Sequence, residues 1–264
     1  MSTPAETPVF VLCGGLGTRF REQTEFRPKP MIEIGGRPIL WHIMRTYAGH
    51  GFKRFVLCLG YRAELIKDFF LHYRSMNSDF TVELASDVVT THSVDHEDDW
   101  SVTLADTGAL TMTGARVARA AAKYLRDAKH FAVTYGDGLT DANLTEEFAF
   151  HLQHQRMGTV LGVNPPSRFG EFKTSGDEVV RFEEKPEFEE NWINGGYFFF
   201  RREFLRYLSS DATCVLEKTP LVNLAADRQF AIYKHTGFWH CMDTQRDHDS
   251  LSRMWDEGQA VWRC

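Results

Sequence analysis

The sequence predicts an α/β fold: a Rossmann-like, mixed but mostly parallel sheet flanked by helices, with a small antiparallel lobe added late in the chain. Three observations predict it. Short apolar runs at Val9–Cys13, Phe55–Leu59 and His130–Tyr135 have the character of strands buried on both faces. Amphipathic helical stretches alternate with them. Two of the runs end in glycine turns, Gly14-Gly15 and Gly136-Asp137-Gly138, at the carboxyl edge where such sheets bind ligands.

Each element follows from local chemistry. After the Val9–Cys13 strand, 38–48 reads as a helix, with Pro38 tolerable near its start and Gly49 and Gly51 near its end. Phe55–Leu59 is the second strand. The next helix, 62–73, sets Leu65, Ile66, Phe69 and Phe70 on one face. Strands at 80–85 and 101–105 are joined by an acidic, solvated connection, 95–99. A helix over 113–126 opens on a threonine cap. The third apolar run leads to a helix over 144–155, with Asn143 and Glu146 spaced as a capping box. After Gly158 the rhythm changes. Short strands at 159–163, 171–173, 179–183 and 197–201 suggest the added antiparallel lobe. Helices near 203–208 and 216–226, a strand at 230–234 and a helical tail over 245–257 complete the chain.

Bulk properties narrow the function. A length of 264 residues suits one large domain. A net charge of −6 argues against non-specific nucleic-acid binding, which needs a basic surface. The five cysteines are odd in number and form no C-x-x-C pair, so reduced thiols in a cytoplasmic protein are expected. The polar segment Met1–Pro8 does not read as a signal peptide, and no apolar run approaches the roughly 18 residues of a membrane span.

The first chemical signal is Gly14-Gly-Leu-Gly-Thr-Arg19. Its glycines bring bare N–H groups against a ligand, and such a nest binds phosphate oxygens. Phe20 stands where a dinucleotide fingerprint needs its last glycine, and the Gly-Lys-Ser/Thr of a P-loop is missing. A glycine turn alone reads equally well as a plain strand-to-helix connection. Arg27-Pro-Lys-Pro30 is sharper, because two prolines stiffen the backbone around Lys29 and reduce the entropy lost when the lysine meets a phosphate. Asp137 projects from the sheet edge between two glycines, and Asp243 follows another strand-like run. Each alone reads as a turn carboxylate. Together they offer the few hard oxygen ligands that suit Mg2+.

At these residues the chain resembles the sugar nucleotidyltransferase family. The likeness rests on Gly14–Arg19, Lys29-Pro-Met-Ile-Glu-Ile-Gly-Gly36, Pro38–Met44, Asp106-Thr-Gly108, Met112-Thr-Gly114, Tyr135-Gly-Asp-Gly138, Arg168-Phe-Gly170, Glu184-Lys-Pro186, Ile193-Asn-Gly-Gly196, Gly237-Phe-Trp239 and Met242-Asp-Thr244. It runs from about residue 9 to residue 262, and is greatest to the branch that joins CTP to glucose 1-phosphate. The resemblance implies a nucleotide-binding part at about 9–158 and a sugar-binding and C-terminal part at about 159–264 of a single domain spanning 1–264. It implies nucleotide contacts from Leu12, Cys13, Gly14, Gly15, Leu16, Gly17, Thr18, Arg19, Lys29, Thr111, Arg116 and Gly136. By the same resemblance, Arg19 and Lys29 are expected to carry the catalytic charge on the triphosphate, Tyr135, Glu184, Lys185, Asn194 and Gly195 to hold the sugar phosphate, and Asp137 and Asp243 to hold Mg2+. The partners implied are CTP, glucose 1-phosphate and further copies of the chain, as a hexamer; neither nucleic acid nor membrane is expected.

Two departures fall near the pocket: Arg27 where the family commonly has lysine, and His240-Cys241 where Gln-Pro is usual. His42 and His151 lie in helices without ligand spacing and read as structural. UTP or dTTP in place of CTP, or a catalytically silent nucleotide sensor, remain as other readings. Joint retention of Arg19, Lys29, Asp137, Lys185 and Asp243 disfavours the sensor.

Overall fold

A computed structural model describes residues 2–92, 99–165, 171–183 and 192–263. Seven strands form one sheet: β1 (Val9–Leu12), β2 (Arg54–Leu59), β3 (Ser101–Asp106), β4 (His130–Tyr135), β5 (Gly158–Val163), β6 (Ile193–Arg201) and β7 (Phe230–His235). Their order is β7-β5-β6-β4-β1-β2-β3. β1 pairs in parallel with both β2 and β4, β2 with β3, and β5 with β7. β6 alone runs against its neighbours, antiparallel to β4 and to β5.

The sheet is buried on both faces. Along β1, Val9 and Val11 join one core while Phe10 and Leu12 join the other, as a two-residue side-chain period dictates. The first core takes α1 (Ile39–Gly49), α2 (Ala63–Leu71), α4 (Leu144–His154) and α6 (Gln245–Asp256). The second takes α3 (Thr113–Tyr124) and α5 (Thr219–Ala226). Alternation in β6 sends Tyr197 and Phe199 to the first core and Phe198 and Phe200 to the second.

Several expectations need correction. The strands over 158–163 and 193–201 belong to the main sheet rather than to an added lobe, whereas Glu171–Ser175 and Glu178–Glu183 form a separate antiparallel hairpin. The helix after β2 stops at Leu71, and Tyr73–Met76 forms a separate turn. Thr113 does not cap α3. Its hydroxyl accepts from Leu216 N and donates to Glu217, and the N-cap position is Met112. Asn143 does cap α4, accepting from the amides of Thr145 and Glu146. The acidic connection expected at 95–99 lies outside the described residues except for Asp99.

His42 and His151 have structural surroundings. His42 Nε2 donates to Ile34 O at 2.9 Å, and burial pulls its pKa down to about 4. His151 is packed between His130 and Thr159.

Candidate active site

The carboxyl ends of β1 and β4 open into a cleft of about 800 Å³. Residues 12–18 form one wall, with Gly17 at φ +62°, a left-handed conformation that a glycine adopts without strain. Lys29 enters from a short turn, Lys29–Met31, flanked by Pro28 and Pro30.

The two aspartates reach the cleft through a small ladder. Gly138–Thr140, directly after the β4 turn, pairs antiparallel with Trp239–Cys241, and Cys241 opposes Gly138. Met242 N then donates to Asp137 O at 2.8 Å, which sets Asp243 beside Asp137. Asp247 holds this approach. Its carboxylate accepts from the amides of Asp243 and Thr244 at 3.0 and 2.8 Å, completing a capping box in which Thr244 caps α6.

Lys29 Nζ donates to Asp137 Oδ2 and Asp243 Oδ1, each at 2.6 Å. The lysine is only 8% exposed. Burial works to lower its pKa, but the carboxylates outweigh that effect and leave the ammonium above its ordinary value. Two carboxylate oxygens touching one nitrogen lie close enough to share a single cation. Their combined charge exceeds that of Lys29, and among the described residues no cluster of three potential ligands occurs. That donor set fits a divalent ion that keeps most of its shell as water and phosphate oxygen.

Arg116, expected as a nucleotide contact, lines the cleft with its guanidinium turned onto the protein itself. It is 3% exposed. Its guanidinium donates to Leu59 O, Gly108 O and Gly14 O and to the Thr107 hydroxyl, all at 2.8 Å, and to Ala109 O at 3.2 Å. With these donors committed, Arg116 braces the glycine loop against the segment after β3. Thr111 is likewise buried, with its hydroxyl accepting from Arg119 at 2.8 Å. The amino end of α3 is closed by the loop before α5: Met112 N donates to Ala212 O and Ala115 N to Cys214 O. A Cβ at Gly114 would lie 2.8 Å from Cys214 Sγ, so this close approach requires glycine.

Residues 12–18, Lys29, Thr111, Arg116, Tyr135, Gly136, Asp137, Asn194, Gly195 and Asp243 all line the one cleft. Glu184 and Lys185, and Arg168–Gly170, lie outside the described residues, and only the backbone of Arg19 is described. Cys13 is a packing residue, its thiol pushed well up by burial. Sequence reasoning missed Glu217 and Trp239 in the cleft wall. Trp239 donates from Nε1 to Gly195 O at 2.7 Å. Trp239 stood in a quoted motif, but Glu217 carried no motif signal.

The family model for nucleotidyl transferases matches residues 9–240. The chain belongs to the nucleotidyl transferase family. Among similar nucleotidyl transferases, the glucose-1-phosphate cytidylyltransferase of Salmonella typhi is 42% identical over 253 residues, covering 96% of this chain and 97% of that one. The mannose-1-phosphate guanylyltransferase catalytic subunit beta of Dictyostelium discoideum is 29% identical over 92% of this chain and 62% of its own. HddC from Yersinia pseudotuberculosis superposes with a TM-score of 0.66 at 21% identity, over 94% of this chain and 99% of that chain, which shows a shared fold. No helix among the described residues is long and apolar enough to cross a membrane.

Proposed function

We propose that this nucleotidyl transferase condenses CTP with α-D-glucose 1-phosphate to give CDP-glucose and pyrophosphate. The observation that carries the reading is the convergence of Asp137, Asp243 and Lys29 at the glycine-loop cleft, in a chain alike over nearly its whole length to a glucose-1-phosphate cytidylyltransferase.

The chemistry joins two anions. An oxygen of the sugar phosphate attacks the α-phosphorus of the nucleotide, and pyrophosphate leaves in line. The attacking phosphate is already ionised near neutrality, so no general base is needed, and catalysis reduces to positioning and charge neutralisation. The amides of residues 14–18 cradle phosphate oxygens. Lys29, held by its flanking prolines, supplies full positive charge near the α-phosphate, and Arg19 supplies it along the triphosphate. Tyr135, Asn194 and Gly195 receive the sugar, with Glu184 and Lys185 on its hydroxyls and phosphate. Asp137 and Asp243 would hold Mg2+, which when bound supplies further positive charge against the phosphate oxygens.

A homo-oligomer, a hexamer by resemblance, is part of this reading. Exposed apolar side chains at Leu71, Met76, Phe80, Val82, Leu84 and Val89 support it. Cys13, Cys58 and Cys214, which form no disulfide among the described residues, support a reducing cytoplasm.

A pyrophosphate-release assay across CTP, UTP, dTTP, ATP and GTP with several sugar 1-phosphates and Mg2+ tests the assignment. CTP with glucose 1-phosphate is expected to give the highest kcat/KM. The likeness to a guanylyltransferase subunit favours, as a second reading, the same chemistry on another base, and preference for another nucleotide would establish it. Nucleotide binding without turnover of any pair would refute both.

A further inference from the structure

A carboxylate that no motif marks stands in the cleft wall. Glu217 lies in the loop before α5, a segment already stitched to the start of α3 through Ala212, Cys214 and Leu216. Its Oε2 accepts from the Thr113 hydroxyl at 2.7 Å and its Oε1 from the Tyr135 hydroxyl at 2.6 Å. Tyr135 in turn accepts from Asn194 Nδ2 at 3.2 Å, and Asn194 Oδ1 accepts from Gly196 N at 2.8 Å. One chain of hydrogen bonds thus runs from α3 through Glu217 to the ends of β4 and β6.

Direction matters in this chain. A phenol has one hydrogen to give, and Tyr135 gives it to Glu217. The Tyr135 oxygen therefore faces the cleft as an acceptor only, and Asn194 faces it through Nδ2 as a donor. A sugar hydroxyl can donate to the first and accept from the second. A phosphate oxygen, which only accepts, gains nothing from Tyr135.

We propose that Glu217 is a positioning residue for the sugar 1-phosphate: by taking the hydroxyl hydrogens of Tyr135 and Thr113 it fixes the place and hydrogen-bonding polarity of the Tyr135–Asn194 wall against which the sugar hydroxyls dock. The proposal rests on the assignment of Tyr135 and Asn194 to the sugar. It also gives the substrate a direction, with hydroxyls at this wall and phosphate towards Lys29.

Steady-state kinetics on the full-length enzyme with CTP and glucose 1-phosphate test it. Wild-type turnover is read first, so failure of the substrate assignment shows as no wild-type activity, whereas failure of the Glu217 role shows as unmoved Michaelis constants. Glu217→Ala is expected to raise the KM for glucose 1-phosphate about tenfold and to leave the KM for CTP within about twofold. Glu217→Gln, whose amide oxygen still accepts from Tyr135, should stay within about threefold of wild type for both substrates. Tyr135→Phe should reproduce the alanine phenotype, and the double variant Tyr135→Phe/Glu217→Ala should be no worse than either single one. An unchanged sugar-phosphate KM in Glu217→Ala, an equal rise in both KM values, or additive effects in the double variant would overturn the proposal. Should the alanine variant fail to fold, Tyr135→Phe decides: the same split of KM values supports the role, and its absence refutes it.

Discussion

The two ends of β4 hold comparable numbers of ionisable side chains and use them in opposite ways. At the carboxyl end, Tyr135 and the adjoining Asp137 meet Lys29, Asp243 and Glu217 around an open cleft. At the amino end, His130 Nδ1 lies 3.1 Å from His151 Nε2, His151 Nδ1 contacts Thr159 Oγ1 at 2.8 Å, and His154 reaches the same hydroxyl at 2.7 Å. Burial drives the His151 pKa down to about 2 and lowers those of His130 and His154 as well, so this network is neutral. Nearby on α4, Glu147 is fully buried with neither carboxyl oxygen hydrogen-bonded among the described residues, and burial pushes its pKa well up. Clustering of titratable groups therefore does not by itself mark a site. What separates the two ends is that one keeps its charges by pairing them beside open space, and the other loses them to desolvation.

The largest expected effects test the charged end. Asp137→Ala and Asp243→Ala should each lower turnover by at least about a hundredfold in a pyrophosphate-release assay, with folding retained by circular dichroism. Near-normal Mg2+-dependent rates in either variant would break the comparison. Lys29→Met leaves two carboxylates facing each other, so its melting temperature should fall and should recover with Mn2+ more than that of wild type does. Equal Mn2+ response in the two proteins would count against a shared cation site.

Next comes the brace between the ends. Arg116→Ala strands several buried carbonyls and should cost about 3 kcal/mol in denaturant unfolding, with weaker CTP binding as the glycine loop loosens. A fully stable variant would show that the guanidinium is not a brace.

The neutral end predicts pH dependence. The folded pKa of His151 lies below its unfolded value of 6.5, so its contribution is fully present above pH 6.5 and is lost as pH falls towards about 2. That loss amounts to about 1.4 kcal/mol per pH unit. His151→Leu should flatten the fall in melting temperature between pH 6.5 and 4.5; an unchanged slope would refute a neutral His151. Glu147 has the opposite sign. Its folded pKa is raised, so its contribution is complete below the unfolded value of 4.5 and is lost as pH rises. Glu147→Gln should be modestly more stable than wild type at pH 8, with the advantage vanishing near pH 4.5. A pH-independent difference would show that burial does not hold Glu147 neutral.

Local chemistry made much of this protein legible before any coordinates. Strands buried on both faces must be apolar throughout, which is why β1, β2 and β4 could be read from Val9–Cys13, Phe55–Leu59 and His130–Tyr135. The glycine turn, the proline-flanked Lys29 and the cap at Asn143 depend on a few adjacent residues and were readable for the same reason. Pairing between distant segments was not readable. The Phe-rich run in β6 would be equally apolar in a lobe or in the middle of the sheet, and only its ladders with β4 and β5 place it in the centre. The ladder of Gly138–Thr140 with Trp239–Cys241 brings Asp243 to Asp137, the fold turns Arg116 inward onto main-chain carbonyls, and the loop before α5 carries Glu217 to Tyr135. Residue types and their spacing set which chemistry this chain can perform. Where the charges meet was decided by contacts between segments remote in sequence, whose energies depend on distance in space and leave no local pattern.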